Sequence, residues 1–312
     1  MTTNADPGSA PVYPRHIPSI PYSDSGNRLQ TLDIWLPRPL EQSDPTNSIW
    51  IVYIHGGAWR DPTQDARCVE PTIKHLSSPF PPKIAGIASL NYRLSPYSTH
   101  PTDPSSPTDP NRTAQHPTHV RDIALGLEYL AQNYGVKRWI GVGHSCGATL
   151  LLQHVAGIGI DHGNTTRPES LILIAGIYNI PLLLANHVPP ACPAPIAAIY
   201  ASFIAGAFGA DASAYLPASP VAGKYSTQTW PEGRLMILAH SYDDELIERA
   251  QRDVMCVALD RQGWSIVMED GDEEREGGRV LEVRDLKGGH DWIWEDGGQI
   301  ARLVGEVVER LG

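Results

Sequence analysis

The sequence predicts an α/β fold built on a doubly wound, mostly parallel sheet. Short apolar runs that are typical of buried strands alternate with amphipathic helical patterns along most of the 312 residues. Such alternation implies strands joined by helices that cover both faces of one sheet. The length suits one α/β domain with insertions. We therefore expect residues 1–312 to form a single domain.

Seven runs are predicted to be strands. Several are short, unbroken and apolar, which is typical of parallel strands that are covered on both faces. The predicted strands are residues 32–36, 51–54, 84–90, 139–142, 171–175, 235–239 and 280–283.

Amphipathic helices are predicted between and after these strands. In the first of them, Val120, Ile123 and Leu127 fall on one apolar stripe, and Gly135 suits the position just after a helix end. The predicted helices are residues 119–134, 245–259 and 299–311.

Three segments interrupt the alternation. Residues 95–117 are rich in Pro, Thr, Ser and Asp, which predicts an irregular surface loop. Residues 177–232 are too long for a simple connection and are apolar enough to fold over something, so we expect an inserted cap above an active site. Residues 269–278 are strongly acidic, which favours a second irregular surface loop.

Composition limits the classes of partner and the compartment. A net charge of −11 argues against nucleic acid and against an anionic membrane surface. The four cysteines show no C-x-x-C spacing, so we expect free thiols in a reducing compartment. The first twenty residues lack the pattern of a signal peptide, and prolines break the uncharged stretch 170–210. We expect a cytoplasmic protein without a membrane span, and a homodimer stays open.

A G-x-S-x-G motif at residues 143–147 follows a predicted strand and precedes an apolar, helix-like run. In that setting the sharp turn presents a serine hydroxyl above the sheet, because the glycines allow a bend that side chains would block. The motif predicts Ser145 as a nucleophile. Its other interpretation, in a chain with 28 glycines, is an ordinary turn.

A second glycine-rich motif follows the predicted strand 51–54. It consists of His55, Gly56, Gly57, Ala58 and Trp59. Small residues there let backbone N–H groups point at a developing oxyanion. The alternative is a glycine-rich turn closed by a core tryptophan.

Two backbone regions are therefore predicted to supply oxyanion donors. One donor is the N–H of Gly57 or Ala58, and the other is the N–H of Cys146, directly after the nucleophile. We expect the Cys146 thiol itself to point away from the chemistry. Together the two motifs indicate a serine hydrolase.

A serine nucleophile needs a base, and the base needs an orienting carboxylate. After strand 235–239 come three consecutive acids, Asp243, Asp244 and Glu245, which are all candidates. Asp244 is the predicted triad member and Asp243 the second choice; helix capping is the alternative role for either. His290 is the predicted base, because it follows the last strand in a glycine-rich loop and comes after the acid. His55 and His144 are expected to support loop geometry.

With these residues assembled, the chain resembles fungal kynurenine formamidase (arylformamidase) of the α/β-hydrolase superfamily. The resemblance rests on the H-G-G-A-W motif and the R-D-P that follows it, the G-H-S-C-G-A-T motif, the S-Y-D-D-E-L segment and the H-D pair at residues 290–291. It implies an α/β-hydrolase fold, with nucleophile, acid and base at Ser145, Asp244 and His290. It also implies hydrolysis of N-formylkynurenine to kynurenine and formate in tryptophan degradation, through a formyl-serine intermediate, with no metal and no cofactor.

Two other functions stay open. A carboxylesterase acting on aryl or short-chain acyl esters would share the triad and the scaffold, and only the H-G-G-A-W loop favours the formamidase. A non-catalytic relative that binds a ligand would usually lack a triad member, whereas this chain fills all three positions.

Overall fold

The computed structural model describes residues 12–44, 46–76, 80–161, 166–268 and 278–311. Within these residues the chain forms one sheet of nine strands in the order β1-β2-β4-β3-β5-β6-β7-β9-β8. The strands are β1 (Arg15–Pro21), β2 (Thr31–Leu36), β3 (Ile49–Ile54), β4 (Ile84–Leu90), β5 (Trp139–His144), β6 (Ser170–Ile174), β7 (Leu235–Ser241), β8 (Ser265–Met268) and β9 (Val280–Leu286).

The sheet is parallel except at β2, which pairs antiparallel with both of its neighbours. All pairs from β4 through β3, β5, β6, β7 and β9 to β8 are parallel. The predicted doubly wound, mostly parallel sheet is therefore confirmed. Because the carboxyl ends of these strands share one edge, the loops that follow β3, β5, β7 and β9 meet there.

Helices cover both faces of the sheet. They are α1 (Glu70–Leu76), α2 (Thr118–Tyr134), α3 (Cys146–Ala156), α4 (Ile180–Asn186), α5 (Ala194–Phe208), α6 (Tyr215–Ala218), α7 (Ala250–Asp260), α8 (Trp292–Asp296) and α9 (Gly298–Leu311).

Two apolar cores separate these helices into layers. One core joins one face of the sheet to α1, α8 and α9, and the other joins the opposite face to α2 to α7. Alternation along β3 illustrates the division, since Ile51 and Tyr53 face the first core whereas Val52 faces the second. Burial on both faces explains why the central strands are continuous apolar runs.

The sequence missed both edge strands. β1 contains Pro18 and ends at Pro21, and a proline is tolerated at a sheet edge because no ladder hydrogen bond is lost there. β8 has only four residues. The helix predicted from residue 245 begins at Ala250 instead, since residues 242–249 form a turn around Asp244.

The long segments differ in structure. Residues 95–117 contain no helix or strand. The connection between β6 and β7 contains α4, α5 and α6. The predicted acidic loop 269–278 lies outside the described residues except for Gly278. In the described part of the chain, no single helix is long and apolar enough to span a bilayer; α5 and residues 212–218 reach that length only together, across a bend of 76°.

Candidate active site

Ser145 lies in the turn between β5 and α3. Its backbone has φ 53° and ψ −125°, a conformation that is rare outside glycine. The Ser145 amide donates to the carbonyl of Ile174 on the neighbouring strand at 2.8 Å, which fixes the turn to the sheet. A serine held in a strained strand-to-helix turn is the arrangement in which a hydroxyl projects above the sheet.

The flanking glycines are required by close backbone contacts. A Cβ on Gly143 would lie 2.6 Å from the Ala148 nitrogen, and one on Gly147 would lie 2.2 Å from the Ile54 oxygen. Real Cβ atoms do not approach backbone atoms so closely. The G-x-S-x-G pattern thus reflects the packing of α3 against the ends of β5 and β3.

His290 and Asp244 meet at the edge of the sheet beside Ser145. The His290 Nδ1 lies 2.8 Å from Asp244 Oδ2, and both side chains are buried. Because a carboxylate only accepts, Nδ1 carries the proton in this hydrogen bond. The Nε2 atom then has its lone pair free to accept a proton.

The Asp244 carboxylate is held in the ionised form. Burial alone raises its pKa, but the hydrogen bond and charge of His290 oppose this, together with the amides of Leu246 and Ile247, which each donate to Oδ1 at 2.9 Å. The pKa of Asp244 is lowered as a result. Asp243, the second candidate, is exposed, and its amide donates to the Ser241 hydroxyl.

The loop after β3 is fixed by three consecutive left-handed residues. Gly57, Ala58 and Trp59 have φ values of 93°, 48° and 60°. The carbonyl of Gly57 accepts from the amides of Arg60 and Asp61, both at 2.9 Å. Left-handed backbone at two non-glycine residues persists only where the surroundings enforce it, which is typical of functional loops.

Tyr92 holds the same loop in place through its hydroxyl and its ring. Its hydroxyl lies 3.0 Å from the Gly56 carbonyl and 3.1 Å from the His55 carbonyl, and its ring stacks on the His55 imidazole. This role could not be predicted from the sequence, because Tyr92 lies in a stretch without helical or strand periodicity.

The Cys146 thiol points into the protein. Its sulfur accepts from the Trp59 amide at 3.2 Å and lies 3.5 Å from the Tyr92 hydroxyl. Burial raises the pKa of Cys146 to about 11, against smaller lowering contributions from the Tyr92 hydroxyl and nearby amides. The thiol is therefore protonated at neutral pH and is a poor nucleophile.

Two further histidines near Ser145 are buried and bind backbone carbonyls. The His144 Nε2 lies 3.1 Å from the His290 carbonyl, and the His55 Nδ1 lies 2.9 Å from the Gly56 carbonyl. Burial lowers the pKa of His55 to about 4 and lowers that of His144 well below its ordinary value. Both rings are neutral at pH 7, so each donates one hydrogen bond that orients its loop.

A cavity of about 190 Å³ lies at the nucleophile and its proposed base. Two of the residues that line it are Ser145 and His290, and α5 closes it with Ile199, Tyr200 and Phe203. Trp59 does not line it; its indole is buried and packs edge-on against Phe208. The structure thus favours the packing role for this tryptophan. The other lining residues are Gly57, Ala58, Arg60, Asp61, Gln64, Tyr97, Ile177, Leu246, Ile247 and Asp291.

Glu245 also contacts His290, and this role was not predicted from the sequence. Its Oε2 accepts from the His290 amide at 3.0 Å, so two neighbouring acids hold the histidine by its ring and by its backbone. Across the described ranges, no group of three His, Cys, Asp or Glu side chains could hold a metal ion.

Comparison with known proteins assigns the family. The chain is 35% identical over 304 residues to a kynurenine formamidase-like hydrolase of Fusarium equiseti, with 95% of each chain covered. It is 31% identical to a kynurenine formamidase of Aspergillus versicolor, with 88% of this chain and 94% of the relative covered. The chain belongs to the kynurenine formamidase family. This membership confirms the resemblance and makes the protein a hydrolase, so the interpretation as a non-catalytic binding protein does not hold.

Two solved structures that are similar to this chain are esterases. Esterase B from Lactobacillus rhamnosis has a TM-score of 0.65 at 15% identity, with 95% of this chain and 85% of the esterase covered. A carbohydrate esterase from gut microbiota has a TM-score of 0.60 at 14% identity, with 96% and 100% covered. At these identities the likeness confirms the α/β-hydrolase fold. No protein-family model matches the chain.

Proposed function

We propose that the protein hydrolyses N-formyl-L-kynurenine to L-kynurenine and formate, with Ser145 as nucleophile, His290 as base and Asp244 as orienting acid. The observation that carries the proposal is that Ser145 and His290 line one cavity, with His290 hydrogen-bonded to the buried Asp244, in a member of the kynurenine formamidase family. The substrate is inferred from the relatives that bear the name kynurenine formamidase.

The first half of the reaction acylates the serine. His290 Nε2 takes the proton of the Ser145 hydroxyl while the serine oxygen bonds to the formyl carbon. The tetrahedral intermediate then breaks its C–N bond, and His290 gives the proton to the departing arylamine nitrogen. Kynurenine leaves, and a formyl-serine ester stays on the enzyme.

The second half uses water in place of the serine. His290 removes a proton from water, the oxygen attacks the formyl carbon, and the ester C–O bond breaks as His290 returns a proton to Ser145. Formate is released. Asp244 keeps the imidazole in the tautomer that leaves Nε2 free and stabilises the imidazolium in both halves.

Backbone N–H groups are suited to stabilise the oxyanion. Gly57 and Ala58 line the cavity beside Ser145, and Cys146 begins helix α3 at its positive end. The left-handed run at residues 57–59 supports this role, because it fixes the direction of these amides before the substrate binds.

The cavity supports a compact aromatic substrate. Its volume of about 190 Å³ is below the roughly 300–1,000 Å³ of most ligand sites, which disfavours long acyl chains. Tyr97, Tyr200 and Phe203 supply aromatic surface. We infer that α5 and its neighbours within residues 177–232 act as the cap that binds the leaving group.

Free thiols support a cytoplasmic location. All four cysteines, Cys68, Cys146, Cys192 and Cys256, are unpaired in disulfides. Unbridged cysteines are the usual state in a reducing compartment.

The alternative is a carboxylesterase for aryl or short-chain esters, and a comparison of two substrates separates it from the formamidase. We expect kcat/KM for N-formylkynurenine to exceed kcat/KM for p-nitrophenyl acetate, although the ester is intrinsically more reactive. The reason is that contacts to the remote part of the proper substrate lower the barrier at the formyl carbon. A wide margin in favour of the ester would replace the formamidase with the carboxylesterase.

A further inference from the structure

Arg60 places a buried positive charge in the wall of the candidate site. Its side chain is only 7% exposed and lines the cavity that contains Ser145 and His290. The Arg60 amide donates to the Gly57 carbonyl, so the residue ends the same fixed loop that carries the proposed oxyanion donors. Its backbone is therefore held at a set position relative to the nucleophile.

No carboxylate forms an ion pair with Arg60. Among the described residues, no Asp or Glu oxygen lies within 4.0 Å of its guanidinium, whereas the other buried arginines, Arg112 and Arg252, each pair with an acid. The neighbouring Asp61 is committed elsewhere, since its Oδ1 accepts from the amide and the hydroxyl of Thr63. A buried charge without a counter-charge costs free energy unless a partner binds it.

The contacts that Arg60 does make leave most of its donors unused. The guanidinium carbon lies 4.0 Å from the centre of the Tyr97 ring and 5.6 Å from that of Phe203. These cation–π contacts position the guanidinium without using its N–H groups as hydrogen-bond donors. Among the described residues, the guanidinium makes one long hydrogen bond, 3.4 Å from Nη1 to the Ser202 hydroxyl. The remaining donors of the guanidinium fork suit a planar anion.

We propose that Arg60 binds the α-carboxylate of the amino-acid end of the substrate. The inference rests on the proposed function, because N-formylkynurenine carries a carboxylate at the end opposite its formamide. Binding there would seat the aromatic ring against α5 and direct the formyl group to Ser145. The carboxylate contact would then decide between amino-acid formamides and neutral ones.

The test combines two substrates with the wild type and three variants. The substrates are N-formylkynurenine and its carboxamide, in which a neutral amide of similar size replaces the negatively charged α-carboxylate. For the wild type we expect kcat/KM to favour the acid by about 10- to 100-fold, the usual value of a charged hydrogen bond. Arg60→Met should lose this preference, because kcat/KM for the acid falls much further than kcat/KM for the amide and the two values become similar.

Arg60→Lys keeps the charge without the fork and should retain part of the preference. Arg67→Met is the matched control: Arg67 lies on the same stretch of chain but is exposed and paired with Asp65, so its preference should equal that of the wild type. The wild-type comparison requires no variant to fold, and urea unfolding establishes that each variant is intact.

Three results would overturn the assignment. If Arg60→Met lowers kcat/KM equally for acid and amide, or if the wild type does not distinguish them, Arg60 supports the loop and binds no carboxylate, and the formamidase proposal stands. If the wild type hydrolyses neither formamide but does hydrolyse p-nitrophenyl acetate, the proposed function and the role of Arg60 both fail.

Discussion

Ser145 adopts a backbone conformation that costs on the order of 1–3 kcal/mol in most contexts. Ser145 is nevertheless only 5% exposed, and it lies between the start of α3 at Cys146 and the cavity. Strain at one position is tolerated when hydrogen bonds on both sides maintain it: here the Ser145 amide donates to the Ile174 carbonyl, and the Ser145 carbonyl accepts from the Ala148 amide at 3.0 Å.

Ser145→Ala should abolish hydrolysis and leave the fold intact. Loss of a triad serine typically lowers kcat by about 10⁶, and alanine fits wherever serine does. Activity on N-formylkynurenine and the urea unfolding midpoint measure the two effects, with the exposed Ser106→Ala as a control. Substantial turnover by a clean Ser145→Ala preparation would contradict a serine mechanism.

Asp244→Asn should damage catalysis far more than Asp243→Asn. An asparagine at position 244 would favour the wrong tautomer of His290, an effect that can lower kcat by about 10⁴. Asp243 is exposed and contacts Ser241 only through its amide, so its substitution should leave kcat almost unchanged. Steady-state kinetics on both variants decide the matter, and the reverse ranking would transfer the acid role to Asp243.

Gly147 in α3 and Gly305 in α9 are both helical glycines, but their surroundings differ. Gly147 has the backbone of β3 directly against it, whereas Gly305 in α9 has nothing within 4 Å of a built Cβ. The same substitution should therefore have opposite effects at the two positions.

Gly147→Ala should inactivate the enzyme and destabilise it, because its methyl would meet the Ile54 carbonyl at 2.2 Å. Gly305→Ala should leave activity unchanged and stabilise the protein by up to about 1 kcal/mol, the difference in helix propensity. Urea unfolding and kcat/KM are to be measured on both. A stable, active Gly147→Ala protein would show that α3 can move away from β3.

The C-terminal helix is joined to the sheet by a buried carboxylate. Glu282 on β9 contacts Arg284 on the same strand and Arg310 on α9. Burial raises the pKa of Glu282, but the two arginines outweigh it and lower the pKa below its ordinary value. This pairing should therefore contribute to the stability of the whole domain in a pH-dependent way.

Glu282→Gln should lower the free energy of unfolding by on the order of 1–3 kcal/mol at pH 7. Since the native pKa is depressed, the stabilisation is complete above the unfolded value of about 4.3 and disappears as the pH falls through the native pKa. Urea titrations of wild type and variant should converge in acid, with the exposed Glu309→Gln as control. A gap that stays constant between pH 7 and acid would exclude the ionic origin.

The central sheet could be predicted from sequence because its strands are buried on both faces and their apolar runs are unbroken, as in β3 and β6. The edge strands β1 and β8 could not, because one side of each is free of pairing and their burial is partial. The family and the hydrolase class were also predicted correctly, from loops whose sequence is constrained by close backbone contacts at Gly143 and Gly147.

The remaining parts of the candidate site depend on contacts between distant segments. Asp243 and Asp244 are chemically identical neighbours, and only the direction of the turn after β7 separates them. The cavity around Arg60 is formed by Tyr97 from an irregular loop and Phe203 from α5, and neither segment has a pattern that reveals its partner. Such juxtapositions are set by tertiary packing and leave no local signal.

The order of strands along the chain also governs when the site is completed during synthesis. The turn at Ser145 is fixed by β5 and β6, whereas Asp244 follows β7 and His290 follows β9. Ser145 is synthesised well before its proposed base, but a domain generally folds as a unit, so the site is complete only after His290 has been made. Hydrolytic activity in a translation reaction would therefore appear only when β9 has joined the sheet, and its onset would time the docking of that strand.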